Sequence, residues 1–305
     1  MEPTATARMS RRALLACGAG AAVAAAGPGT AAYASAPGGA AVVRRLRDLE
    51  RAHGARLGVY ALDTATGRSV AYRASELFPM CSVFKTVAVA AVLRDLDRNG
   101  EFLARRFFYT AQDVERAGGG AITSRPENLA NGLTAEELCE AAIRHSDNAA
   151  ANLLLRELGG PTSVTRFCRS VGDRVTRLDR WEPELNSAEP WRVTDTTTPR
   201  AIAGTYARLV LGGALEPADR ERLTGWLRGN TTGGRRLRAG LPAGWTVGDK
   251  TGTGAHGTTN DAAVAWPPGR GPIVMAVLTT YREPDAPMNE PLLAETAAAL
   301  AAALG

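Results

Sequence analysis

Strand-like stretches lie near both ends of this 305-residue chain, with helical stretches between them. Residues 57–63 alternate as a strand, 64–67 read as a turn, and 68–72 as the returning strand. Far downstream, residues 245–250, 258–266 and 272–280 carry the strand signal again. A hairpin at one end and three strands at the other share one sheet only if the chain leaves and comes back. That predicts a split α/β lobe completed by the C-terminal strands, with an all-helical lobe inserted. A cleft between two such lobes is a usual place for a small-molecule site.

The helix signals are specific. Val42, Val43, Leu46 and Leu49 predict an amphipathic opening helix over 40–55. An apolar run predicts a central helix over 82–97, with Ser82 at its opening. Residues 98–133, including Gly118-Gly119-Gly120, show no sharp pattern and are expected to be irregular. Thr134-Ala-Glu-Glu137 reads as a capping box for a helix ending near His145. Further helices are expected over 147–158, 161–171, 198–211, 217–228 and 292–304, with a long proline-containing segment over 180–197.

A hydrophobic fraction of 45% and a charged fraction of 22% are those of an ordinary globular chain. The net charge of +5 is small, and no basic run interleaves with aromatics, which argues against a nucleic-acid partner. Residues 1–36 read as a leader. Ser10-Arg11-Arg12-Ala13-Leu14-Leu15 resembles a twin-arginine export signal. Ala34-Ser35-Ala36 fits a cleavage site that would release the chain, whereas Leu14-Leu15-Ala16-Cys17 fits a lipobox in which Cys17 is acylated. The protein is therefore expected to be exported, either secreted or held at the cell surface as a lipoprotein. Cys81, Cys139 and Cys168 can form at most one pair and are expected to be reduced and buried. His53, His145 and His256 have no metal-ligand spacing, so no metal and no cofactor is expected.

Four segments carry candidate chemistry. Ser82 and Lys85 are three residues apart, on one helix face, at a helix N-terminus where the local potential is positive. Of the 36 lysines and arginines, only Lys85 and Lys250 are lysine. Arginine replaces lysine wherever a plain positive charge suffices, so the two survivors mark places that need a compact ammonium. Ser146-Asp147-Asn148 lies at a helix junction and offers a second hydroxyl and an amide. Lys250-Thr251-Gly252-Thr253 ends a strand with a cation and two hydroxyls, a receptor for a carboxylate. In Arg180-Trp-Glu182-Pro-Glu-Leu-Asn186, an acid and an amide four residues apart can hold one water. Taken singly, these segments also read as helix caps, a strand-to-turn transition and a polar surface loop.

Together, Ser82-x-x-Lys85, Ser146-Asp147-Asn148, Glu182-x-x-Leu185-Asn186 and Lys250-Thr251-Gly252 resemble the class A serine β-lactamases in type, order and spacing. The resemblance implies an α+β fold of the β-lactamase and penicillin-binding transpeptidase type. Its antiparallel five-stranded sheet is flanked by helices and joined by an all-helical lobe. The implied division is 37–77 with 226–305 for the α/β lobe and 78–225 for the helical lobe. The substrates implied are β-lactams, handled by a monomer.

The resemblance also implies residue roles. Ser82 is the acylated nucleophile, with the backbone N–H groups of Ser82 and Thr253 as the oxyanion hole. Lys85 and Glu182 are the alternatives for the acylation base, and Ser146 relays a proton to the leaving nitrogen. Glu182 with Asn186 activates the deacylating water. Asn148 meets the substrate side chain, while Lys250, Thr251, Gly252 and Thr253 bind its carboxylate. The guanidinium that assists them is assigned to Arg236, since Thr258-Thr259-Asn260-Asp261 holds no arginine. Arg180 and Asp195 match the pair that closes the Glu182 loop.

Two departures stand out. Gly118-Gly119-Gly120-Ala121 replaces an aromatic rim residue, predicting an open, mobile rim, and Gly254 stands where some members carry a cysteine bridged to the one before the nucleophile. The latter points towards penicillins and cephalosporins as substrates. A penicillin-binding peptidase shares the serine, the lysine and the Lys-Thr-Gly segment, but lacks the water chemistry that Glu182 and Asn186 supply. A non-catalytic β-lactam sensor would likewise lack that loop.

Overall fold

The computed structural model describes residues 37–305; the leader and both of its processing sites lie outside the described residues. The helix α1 (Pro37–His53) buries Val42, Leu46 and Leu49 at helical spacing. The strand β1 (Arg56–Asp63) ends on a carboxylate that accepts from the Ala65 and Thr66 N–H groups, 3.0 and 3.3 Å away. That turn returns the chain as β2 (Ser69–Tyr72), and the two-residue β3 (Phe78–Pro79) leads towards the helices.

The expected central helix is built in three pieces: a 3₁₀ turn over Cys81–Val83, α2 (Phe84–Ala91) and a π turn over Val92–Leu96. Every residue of α2 is buried, so it is covered on all sides. The Asp97 N–H reaches back to Val92 O at 3.0 Å, which widens the last turn.

Residues 98–133 are more regular than the sequence suggests. They hold α3 (Glu101–Ala104), β4 (Arg106–Phe107), α4 (Ala111–Arg116) and α5 (Pro126–Asn131), and β4 pairs with β5 (Leu133–Thr134). Helices this short span fewer than two turns, too few to show a period.

The capping box at Thr134 and Glu137 opens α6 (Ala135–Arg144) as expected. Asp147 caps α7 (Asn148–Leu158), which stops at a left-handed Gly159. Next comes α8 (Thr162–Ser170), then a long loop with one 3₁₀ turn over Glu184–Ser187, and β6 (Thr196–Thr197) paired with β3. The chain closes with α9 (Pro199–Val210), α10 (Pro217–Arg228), the short α11 (Leu237–Gly240), β7 (Thr246–Thr253), β8 (Thr259–Trp266), β9 (Ile273–Thr280) and α12 (Glu290–Leu304).

The five long strands form an antiparallel sheet in the order β2-β1-β9-β8-β7, so the N-terminal hairpin does add to the C-terminal strands. Strand alternation divides the core in two. Leu57, Val59, Ala263, Ala265, Met275 and Val277 pack with the apolar faces of α1 and α12. Tyr60, Ala262, Val264, Val274, Ala276 and Leu278 join the helical core built around α2. The first residues of β8 break the apolar run: Thr259, Asn260 and Asp261 are polar and fully buried. Buried polar groups need partners, and here those partners are the walls of a site.

Candidate active site

Ser82 sits on the 3₁₀ turn at the head of α2, after a Cys81 held at φ 47°. Ser146, between α6 and α7, is held at φ 55°. Left-handed backbone at a non-glycine residue costs energy and persists where its surroundings over-determine it. The first turn is pinned from two sides. Asn260 Nδ2 donates to Pro79 O and Met80 O at 2.9 and 3.2 Å, and the Met80 N–H donates to Asp195 O at 2.9 Å.

The second serine is pinned by its neighbour. Asp147 accepts from Ala150 N–H at the start of α7, and from the Ile122 and Thr123 N–H groups, each at 2.9 Å. It thus ties the 120s segment to the helix junction.

Lys85 and Glu182 are fully buried and meet at 3.0 Å. Lys85 Nζ also donates to Ser146 O at 2.8 Å and Asn148 Oδ1 at 2.6 Å. Two hydrogen bonds and one close carboxylate oxygen thus fix the position of the Lys85 nitrogen. Ser82 Oγ donates to the same Glu182 Oε1, 3.3 Å away. The other carboxylate oxygen accepts from Asn186 Nδ2. Asn186 Oδ1 is buried without a protein partner, and a water donating to it would satisfy it.

The loop that delivers Glu182 is closed by Arg180, whose Nε lies 2.6 Å from Asp195 Oδ2. Asp195 Oδ1 accepts from the Asp179 and Arg180 N–H groups as well. From the helical side, Asn152 holds Glu182 by both backbone groups: its Nδ2 donates to Glu182 O at 2.8 Å and its Oδ1 accepts from Glu182 N–H at 3.1 Å. The sequence reading missed Asn152 and Asn260. Each is a lone amide inside an element, with no motif around it.

The opposite wall is β7. Lys250 Nζ donates to Ser146 Oγ and to Thr251 O, both at 2.9 Å. Burial, and then the nearby Lys85 charge, hold the Lys250 ammonium well below the ordinary lysine range. Behind it, burial pushes the Asp249 and Asp261 carboxyls up. Arg236 Nη1 donates to Gly252 O and Asn260 O at 2.9 and 2.8 Å, and Nη2 donates to Thr253 Oγ1 at 2.7 Å. Every predicted site residue is therefore linked by contact to Ser82, Ser146 or the end of β7.

Gly252, Gly118 and Gly120 are closely packed, and one expectation about them changes. Gly252 is required by the nucleophile turn itself, because a Cβ there would lie 2.8 Å from Met80 O. The predicted open, mobile rim is partly packed. A Cβ on Gly118 would meet Pro183 at 2.9 Å, and one on Gly120 would overlap Thr123 Oγ1 and Asp147 Oδ1 at 2.1 and 2.3 Å. All three cysteines outside the leader are free and buried, as expected. Among the described residues no group of His, Cys, Asp and Glu is arranged to hold a metal ion.

Residues 41–304 match the model of the beta-lactamase enzyme family. A beta-lactamase of Streptomyces lavendulae is 69% identical over 303 residues, covering 99% of each chain. The solved beta-lactamase of Streptomyces albus G superposes with a TM-score of 0.86 at 69% identity, over 87% of this chain and 100% of that one. An ancestral class A beta-lactamase superposes with a TM-score of 0.81 at 54% identity, over 86% of this chain and 99% of that one. With that fold, that sequence match and a buried Ser-Lys-Glu cluster, the chain belongs to the beta-lactamase enzyme family, in its class A form.

Proposed function

We propose that this protein hydrolyses the β-lactam amide of penicillins and cephalosporins through a Ser82 acyl-enzyme, and so confers resistance to them. One observation carries the reading: Ser82 Oγ and Lys85 Nζ converge on a single oxygen of Glu182, at 3.3 and 3.0 Å. Glu182 takes the Ser82 proton as Oγ attacks the carbonyl carbon, while Lys85, 3.0 Å from the same oxygen, stabilises the carboxylate it faces. The oxyanion lies against the backbone N–H groups of Ser82 and Thr253.

Ser146 donates its hydroxyl proton to the β-lactam nitrogen as the C–N bond breaks. Its oxygen already accepts from Lys250, which leaves that proton free to be given. The proton that Glu182 took from Ser82 is passed on to Ser146, which restores the Ser146 hydroxyl and the Glu182 carboxylate. Water held by Glu182 and Asn186 then attacks the ester and gives its proton to Glu182, and Glu182 returns it to Ser82 as the ester bond breaks. Asn148 meets the side-chain amide. Lys250, Thr251, Gly252, Thr253 and Arg236 form the carboxylate subsite.

In this reading substrate enters the cleft between the sheet lobe (37–77 with 226–305) and the helical lobe (78–225). One chain supplies every group named, as a monomer requires. No helix among the described residues is long and apolar enough to cross a membrane, and export by the twin-arginine leader is part of the proposal.

The test is Glu182→Ala with benzylpenicillin. Acylation persists at a reduced rate, and intact mass shows the drug retained on Ser82. Deacylation falls by roughly 10²–10⁴. Rapid turnover by that variant would overturn the role of Glu182. Permanent acylation of the wild-type protein would overturn hydrolysis itself.

A further inference from the structure

The two hydroxyls of the proposed carboxylate subsite are set differently. Thr253 Oγ1 accepts from Arg236 Nη2 at 2.7 Å. A guanidinium can only donate, so the Thr253 proton is free to meet an anion. Thr251 Oγ1 lies 2.6 Å from the hydroxyl of Thr232.

The direction of that bond follows from its neighbours. The Thr232 backbone N–H donates to Asn230 Oδ1 at 3.0 Å, which fixes the amide oxygen towards Thr232. The amide nitrogen then donates to Asp249 Oδ2 at 2.6 Å. Thr232 Oγ1 is 2.8 Å from the same Asn230 Oδ1. Two oxygens that close need a proton between them, and an amide oxygen has none to give. Thr232 supplies it. Its single proton is then committed, so the Thr251 contact must be bridged by the proton of Thr251. Before substrate arrives, Thr251 has its proton turned towards Thr232.

We propose that Thr232 is a positioning residue of the carboxylate subsite, whose hydroxyl reverses direction when an anionic substrate binds. In the bound arrangement Thr251 donates to the substrate carboxylate and Thr232 donates to Thr251. Both hydroxyl protons rotate, a small turn about the Thr232 Cα–Cβ bond draws Oγ1 back from Asn230 Oδ1, and no covalent bond changes. Asn230 Oδ1 is not orphaned, because it keeps the Thr232 N–H. The frame stays still: Asn230 and Asp249 are buried, and Asp249 Oδ1 accepts from Arg238 Nε at 2.6 Å. A hydroxyl that accepts while it donates is the stronger donor, which is what Thr232 contributes in the bound state. The inference rests on the carboxylate role proposed for Thr251.

The experiment compares kcat/KM for benzylpenicillin with that for its methyl ester, which lacks the anion. Thr232→Ala should raise KM for the acid roughly two- to tenfold, the range of one hydrogen bond, and lower the preference for acid over ester. Thr232→Ser, which keeps the hydroxyl and drops the methyl group, should retain that preference. Thr251→Ala should lower it as well. If Thr251→Ala lowers the preference and Thr232→Ala leaves it at the wild-type value, the relay is wrong and the subsite reading stands. A Thr232→Ser protein that behaves like Thr232→Ala assigns the effect to lost packing and overturns the relay too. If Thr251→Ala leaves the preference unchanged, the carboxylate role of Thr251 falls, and the relay with it.

Discussion

Lys85 Nζ and Glu182 Oε1 lie 3.0 Å apart with neither side chain reachable by solvent. A buried ion pair contributes little to stability compared with well-packed apolar residues, and breaking it leaves a charge without a partner. Its place beside Ser82 is better explained by chemistry.

Lys85→Ala should therefore lower the rate of acylation by about 10²–10⁴, followed by intact mass at short times after mixing with benzylpenicillin. Lys85→Arg should not restore it. Three oxygens surround one nitrogen at 2.6, 2.8 and 3.0 Å, and a larger planar guanidinium cannot take the place of that compact group. Wild-type acylation by the arginine variant would show that charge alone is needed.

Asn152 is the next test, because it touches Glu182 only through the backbone. Asn152→Ala removes two hydrogen bonds that set the position of the catalytic loop. Deacylation should slow more than acylation, so the acyl-enzyme accumulates under turnover. The melting temperature should fall by an amount corresponding to about 1–3 kcal/mol, as a backbone donor and acceptor lose their partner. Equal slowing of both steps would mean that Asn152 supports the whole site rather than the loop.

These two residues mark the limit of what the sequence discloses. Lys85 was legible because it is one of only two lysines and follows Ser82 at helical spacing. Glu182 was legible because its loop carries proline, an amide four residues on and bracketing charges. Asn152 lies on the face of α7 turned to that loop, and nothing local distinguishes it from any other helical amide. The split sheet was legible from strand patterns at both ends. The short elements over 98–133 were not, because they rest on capping by Thr110 and Asp97 rather than on period. The glycines misled in one respect. Gly118 and Gly120 suggested looseness, whereas the lack of a Cβ there admits Pro183 and Asp147.

Gly254 gives a test of how closely the nucleophile turn abuts the end of β7. A Cβ at this position would lie 2.8 Å from Cys81 Sγ. Gly254→Cys should oxidise to a bridge with Cys81 in air, seen as loss of two reactive thiols after unfolding and as a melting temperature that drops on adding reductant. Burial holds the Cys81 thiol high, so closure needs an oxidant and slightly alkaline conditions. The same Cβ would lie 2.8 Å from Asn186 O and 3.0 Å from Ala188 Cβ, so Gly254→Ala, which crowds without bridging, should be destabilised relative to wild type. A Gly254→Cys protein that keeps free thiols under oxidant would show that the two turns stand further apart.

The last prediction concerns pH. Lys250 is fully buried, and burial together with the Lys85 charge lowers its proton affinity well below that of an ordinary lysine. A lysine whose affinity is lowered loses its charge at a lower pH than usual. An ammonium that has lost its proton no longer attracts a carboxylate, so KM for benzylpenicillin should rise on the alkaline side. The rise should begin well below the ordinary lysine value of 10.5. The methyl ester, with no anion to hold, should show no such rise. Lys250→Arg keeps its charge over the whole range and should flatten the alkaline limb for the acid, whatever it does to the absolute rate. Steady-state kinetics from neutral to alkaline pH on both substrates decides the matter. An alkaline limb of the same shape for acid and ester would move the titrating group out of the carboxylate subsite and onto the chemistry at Ser82.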